Sequence, residues 1–237
     1  MNYFLAEFVG TALLIILGNG VVANVLLNQT KGNNSGWIVI TFGWAIAVFT
    51  GVYASTTLGG GGHLNPAVSI GLTVFSDFDS SMLVPYISGQ FAGAFTGAII
   101  VWLTYKKHFD ATTNADAMRA VFCTAPAIRH TFYNFLTEGI ATFILVLGAL
   151  LMSKPSASLG TLDALPVALL VLGIGLSLGG PTGYAINPAR DLGPRIAHFI
   201  LPIRGKKDSD WRYSWIPVLG PVMGGLLAGW VYTFIKI

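Results

Sequence analysis

Six long stretches of this chain carry almost no charge, and that pattern limits the possible fold more than any other feature. Residues 8–30, 32–62, 80–105, 164–189 and 213–235 contain no Asp, Glu, Lys or Arg, and each exceeds the roughly 20 residues with which a helix crosses a bilayer. A sixth stretch, 130–153, is interrupted only by Glu138. With 54% hydrophobic and 10% charged residues and a mean hydropathy of +0.69, too little polar surface remains to cover a soluble domain of this size. We therefore expect spans near residues 3–27, 37–58, 82–105, 131–152, 164–180 and 214–236. No leader sequence is expected, because the N-terminus lacks a basic region and runs straight into the first span. The single Cys123 excludes an internal disulfide and is read as a passive loop thiol.

Two apolar pieces remain, residues 66–75 and 188–200, each too short to cross alone. Both begin with the same tripeptide, Asn65-Pro66-Ala67 and Asn187-Pro188-Ala189, 122 residues apart. Asn is a strong N-cap, and Pro at the first helical position sacrifices no hydrogen bond. These pieces read as re-entrant half-helices. The halves also start alike, since Ala6-Glu7-Phe8-Val9-Gly10-Thr11 parallels Thr137-Glu138-Gly139-Ile140-Ala141-Thr142. Three spans separate the two starts, so the second copy must be inverted in the membrane. The expected fold is an all-α integral membrane protein with six transmembrane helices, two half-helices and an inverted three-helix repeat. It forms one domain over 1–237, with repeats at about 1–106 and 131–237 joined by an outer loop, 107–130.

Half-helices entering from opposite sides meet near mid-membrane with their N-termini facing each other, each carrying a partial charge of about +0.5. A cation or excess proton is repelled there, where screening is weak, while a neutral solute is not. The amides of Asn65 and Asn187 can donate to a passing oxygen. The glycine-rich approaches, Gly59 to Gly62 and Gly179 to Gly183, permit irregular backbone whose carbonyls face a water-filled path. Simple capping of buried helices is the competing reading for the two Asn residues. Arg190 is costly near membrane depth unless it faces water or function, the competing reading being an interfacial side chain that snorkels. Glu7 and Glu138 need hydrogen-bond partners for the same reason.

The segments Gly62-His63-Leu64-Asn65-Pro66-Ala67-Val68 and Gly183-Tyr184-Ala185-Ile186-Asn187-Pro188-Ala189-Arg190-Asp191 resemble the paired signatures of the aquaporin family, also known as the major intrinsic protein family, and the likeness covers nearly the whole chain. The resemblance implies that the carbonyls of Gly61, Gly62, His63, Gly183, Tyr184 and Ala185 line the pore. It also implies that Glu7 and Glu138 brace the two loops from behind, with His63 beside one of them and Asp191 as further support. Arg190 is implied at the narrowest point, on the outer side. Water-selective members narrow that point with a histidine from the fifth span. Here the corresponding residue is Gly175, whose missing side chain is expected to widen the filter. Asp191, Arg195 and Pro217-Val218 resemble the glycerol-facilitator branch, whose filter sets an aromatic wedge against the arginine. Tyr184 fits one wall of that wedge. Phe42, within Phe42-Gly43-Trp44, is expected as the second if the Gly-rich loop carries extra residues; ordinary lipid-facing aromatics are the alternative for these rings.

The implied function is passive diffusion of glycerol and other small neutral solutes, among them dihydroxyacetone, urea, hydrogen peroxide and undissociated lactic acid, together with water. A water-selective channel is the nearer alternative and an ion-coupled secondary transporter the other. The chain has no acidic cluster along its spans to serve as an ion site, and no nucleophile–base or metal constellation, so neither an enzyme nor a cofactor is expected. The net charge of +3 is scattered through loops without interleaved aromatics, which gives no nucleic-acid signal. The resemblance further implies a homotetramer in the cell membrane, in contact with lipid, with both termini cytoplasmic. That orientation leaves Lys154 and Lys236 inside and the other Lys and Arg residues outside, against the positive-inside rule.

Overall fold

The computed structural model describes residues 2–75, 78–152 and 160–235, and among them every regular element is helical. Lys154, Ser156, Ser158 and Lys236 lie outside the described residues. In chain order the helices are α1 (Tyr3–Leu26), α2 (Trp37–Thr57), α3 (Pro66–Phe75), α4 (Leu83–Thr104), α5 (Lys106–Ala111), α6 (Ala115–Ala120), α7 (Thr131–Met152), α8 (Leu165–Ser177), α9 (Pro188–Ile200) and α10 (Ile216–Ile235). The half-helices begin at the two prolines, as expected. Five helices, α1, α2, α4, α7 and α10, are long and apolar enough to cross a membrane. The expected fifth span is shorter, because α8 has 13 residues, or about 20 Å of helix against a hydrocarbon core of roughly 30 Å.

Small residues set how closely these helices pack. Along α4, a Cβ added at Gly89, Gly93 or Gly97 would lie 2.5, 2.3 and 2.8 Å from the carbonyl oxygens of Phe4, Phe8 and Ala12 on α1. The four-residue spacing puts all three glycines on one face, where the backbones touch. In the second half α10 approaches α7 in the same way, a Cβ at Gly224 falling 2.2 Å from the Gly139 oxygen. The half-helices cross over between halves. Gly71 of α3 lies against Gly225 of α10, and Gly193 of α9 against Ala94 of α4. Each half-helix is thus wedged by a long helix from the other half of the chain, and its N-terminus is held at the centre of the molecule.

The segment 107–130, expected as a loop, contains α5 and α6 and folds inward. Asn114 caps α6, its Oδ1 accepting from the Asp116 and Ala117 amides at 3.0 and 3.1 Å. Phe109, Met118, Phe122 and Cys123 are buried beneath it.

Candidate functional site

Each tripeptide builds its own helix start. Asn65 Oδ1 accepts from the Ala67 amide at 2.9 Å, and Asn187 Oδ1 from the Ala189 and Arg190 amides at 3.0 and 3.1 Å. Pro66 and Pro188 occupy the first helical position, where no donor is missed. The side-chain amides then reach across the centre: Asn65 Nδ2 donates to the Ile186 carbonyl and Asn187 Nδ2 to the Leu64 carbonyl, both at 2.8 Å. One hydrogen of each NH2 is used in this exchange, and the second remains for another acceptor.

Leu64, Tyr184 and Ile186 hold φ values of +52°, +37° and +44°, a conformation that costs a branched or bulky side chain energy. Two buried carboxylates supply the compensation. Glu7 accepts from the His63 amide (3.1 Å) and Ser55 Oγ (2.9 Å) on one oxygen, and from the Leu64 amide (2.7 Å) and Gln90 Nε2 (2.8 Å) on the other. Glu138 accepts from the Ala185 and Ile186 amides at 3.0 and 2.8 Å. Both acids are 0% exposed, so these bonds replace water entirely. His63 Nδ1 lies 3.0 Å from Ser69 Oγ, and Gln90 Nε2 donates to that same hydroxyl. Sequence alone does not mark Ser55, Ser69 and Gln90, since neutral polar residues in a span carry no sign of which acid they meet.

Two cavities flank this centre. One of about 240 Å³ is lined by Asn65, Asn187, the loop residues Gly61, Gly62, His63, Ala185 and Ile186, and an aliphatic wall that includes Val48, Val52, Leu145 and Val171. The other, of about 280 Å³, opens beneath the 120–127 segment and includes Trp37, Ile40, Thr124 and Gly183 in its lining. Trp44, Tyr184 and Arg190 line both. The junction of the cavities is therefore a ring of two aromatics and one guanidinium. The Arg190 guanidinium lies 4.2 Å over the Trp44 ring, a cation–π arrangement that helps keep a charge at this depth. Its Nη1 has no acceptor among the described residues.

Two expectations about this ring are corrected. Phe42 does not form the second wall: it is 52% exposed, while Trp44 is 4% exposed and occupies the wall. On a helix two residues apart point to opposite sides, so Phe42 lies with Ile38 and Ile46 on the outer stripe of α2, and Trp44 lies with Ile40 and Ala47 on the inner one. Gly175 lines neither cavity. A Cβ there would meet Tyr184 Cζ at 3.0 Å and Oη at 3.1 Å, so the space left by the missing side chain holds the Tyr184 phenol and does not widen the passage at that point.

Asp191 points away from the cavities. It accepts from Arg195 Nε at 2.8 Å through one oxygen, and from Thr124 N and Oγ1 at 2.8 and 2.7 Å through the other. Arg195, fully buried, donates onward to the Ser209, Asp210 and Thr124 carbonyls. The pair fastens the segments at Thr124 and at Ser209-Asp210 to α9 next to Arg190.

Residues 1–232 match the family model described as Major intrinsic protein. The chain belongs to the major intrinsic protein family. As a member of that family it is a passive membrane channel and not an enzyme. Among its relatives are a probable glycerol uptake facilitator of Thermotoga maritima, 55% identical over 99% of this chain and 100% of the relative, and a glycerol uptake facilitator of Streptococcus pneumoniae, 53% identical over 98% and 99%. Among solved structures, the aquaglyceroporin of Plasmodium falciparum superposes with a TM-score of 0.87 at 32% identity, covering 99% of this chain and 96% of that one. Within the family's fold, the helical period of α2 is the signal that points to Trp44: Ile40, Trp44, Ala47, Gly51 and Ser55 are all buried, and this stripe passes through Trp44 and misses Phe42.

Proposed function

We propose that this chain is a passive pore for glycerol and other small neutral solutes, dihydroxyacetone, urea, hydrogen peroxide and undissociated lactic acid among them, and for water, and that it excludes ions and protons. The observation that carries the reading is the Trp44–Tyr184–Arg190 ring between two cavities. A polyol can slide its carbon edge along the two rings while its hydroxyls accept from the Arg190 guanidinium, which lines both cavities. Below the ring, the remaining N–H of Asn65 and of Asn187 and the loop carbonyls of Gly61, Gly62, His63, Tyr184 and Ala185 take over the hydroxyls, with Gly183 doing so above. The aliphatic wall opposite serves the carbons. Two facing half-helix N-termini and the Arg190 charge oppose cations. Glu7, Glu138 and Asp191 support the loops without touching the solute, and the His63 imidazole supports its loop through Ser69. The similarity to relatives named for glycerol uptake supports the choice of solute class.

In this reading repeats 1–106 and 131–237 are inverted copies, joined by 107–130, and the reciprocal Asn–carbonyl bonds support that symmetry. The protein sits in the cell membrane as a homotetramer, against lipid, with both termini cytoplasmic. Proteoliposomes tested by stopped-flow light scattering should reswell rapidly in glycerol, without dependence on a sodium or proton gradient. Water flux without glycerol flux would show a water pore, and flux driven by an ion gradient would show a transporter; either result refutes the proposal.

A further inference from the structure

Trp37, the first residue of α2, reaches across to α8 and to the ring at once. Its indole Nε1 donates to the Gly175 carbonyl at 3.0 Å. That carbonyl lies in the last turn of α8, where a helix leaves its oxygens without helical partners. The indole ring also meets the Tyr184 ring edge-on, with centroids 5.8 Å apart at 80°. On the side away from the cavities Tyr184 packs against two glycines. A Cβ at Gly179 would fall 2.4 Å from Tyr184 Cδ1 and 2.9 Å from Trp37 Cζ2, and one at Gly175 would fall 3.0 Å from Tyr184 Cζ and 3.0 Å from Thr41 Cγ2. The phenol is thus seated in a slot cut by two glycines and closed by Trp37.

Trp37 and Trp44 are seven residues apart, two turns of α2, and both line the cavity beneath the 120–127 segment. One turn-pair of a single helix therefore holds both sides of the constriction, Trp44 by stacking on Arg190 and Trp37 by closing the Tyr184 slot. We propose that Trp37 is a positioning residue that sets the width of the passage between Tyr184 and Arg190, and hence the size limit for polyols. This inference rests on the solute-pore reading above. Glu138 fixes the backbone just after Tyr184 through the Ala185 and Ile186 amides but does not touch the phenol, whereas Trp37 meets the ring itself and is tied to the Gly175 backbone behind it.

The test compares reswelling of proteoliposomes in glycerol and in the five-carbon polyol ribitol, with equal protein per vesicle. Trp37→Leu removes both contacts, and the ribitol-to-glycerol rate ratio should rise about fivefold, the rate equivalent of one lost hydrogen bond. Trp37→Phe keeps a ring and loses only the donor, and should show a smaller rise. Gly175→Ala pushes the phenol toward Arg190, so glycerol flux should fall relative to water. Adding Trp37→Leu to it should restore part of that flux, because the ring can then yield sideways. If both Trp37 variants keep the wild-type ratio, Trp37 merely packs and the inference falls; should Trp37→Leu fail to insert, an unchanged ratio in Trp37→Phe overturns it equally. Strictly additive losses in the double variant overturn it too. A wild-type protein that passes no polyol would instead bring down the solute-pore reading itself.

Discussion

Glu138 binds nothing that moves, yet the pore loop depends on it. Its two oxygens hold the Ala185 and Ile186 amides from a fully buried position. Glu138→Ala leaves two buried donors unsatisfied at about 1–3 kcal/mol each, so the midpoint of thermal unfolding in detergent should drop sharply. Glu138→Gln offers one oxygen and sets an NH2 against the second amide, and should fall between the two. A Glu138→Ala protein as stable as wild type would show that the loop is held by other means. The acids are legible in the sequence because a charge inside an apolar run has to be explained, and the same logic marks Arg190. Aromatic rings carry no such marker. Phe42 and Trp44 suit a membrane helix equally well, and only the direction each faces on α2 separates them. That direction follows from the buried stripe Ile40–Trp44–Ala47–Gly51, which a spacing argument based on loop length passes over.

At the scale of elements, the sequence marks helix starts more plainly than helix ends. Asn-Pro marks the first turn chemically, and both half-helices begin there. No such mark closes α8: the uncharged stretch continues to residue 189, but its second part is the glycine-rich approach to Asn187, whose backbone is irregular. Lack of charge shows where the chain lies and leaves its conformation open. The glycine stripes lead to a contrast between substitutions. Gly224→Val drives a branched side chain into the Gly139 carbonyl and the Phe143 amide nitrogen, both backbone groups that cannot swing aside, so overpacking should cost about 1–3 kcal/mol or more. Gly20→Val, on a helix face with nothing within 4 Å, should be tolerated. The yield of monodisperse protein after detergent extraction checks both, and equal yields would remove close backbone approach as the reason for the stripe.

Across the whole molecule, charge gathers on the face that carries α5 and α6. Asp116 pairs with Arg119 at 2.8 Å and with Lys207 at 2.6 Å, Lys106 with Asp110 at 2.5 Å, and Arg129 with Asp210, so several cations on this face already have partners. The Lys207 hydrogen bond, aided by the Arg119 charge, holds the Asp116 carboxyl below its ordinary 3.8. A depressed carboxylate stabilises above its unfolded value and loses that stabilisation as pH falls through its folded one. Thermal stability should therefore be insensitive to this pair from pH 8 to pH 5 and decline below about pH 4, by no more than about 1 kcal/mol because the pair is exposed. Lys207→Ala should shrink that acid decline, and an unchanged decline would assign it to other carboxylates. The exchanged bonds at the centre have a consequence in time. When the first half leaves the ribosome, Asn65 has no Ile186 carbonyl to reach and Leu64 no Asn187 to receive, because those partners are more than a hundred residues from being made. The N-terminal half can enter the membrane with its helices formed, but its deepest loop stays unsealed until the last third of the message is read, so the innermost part of the fold is among the last to close.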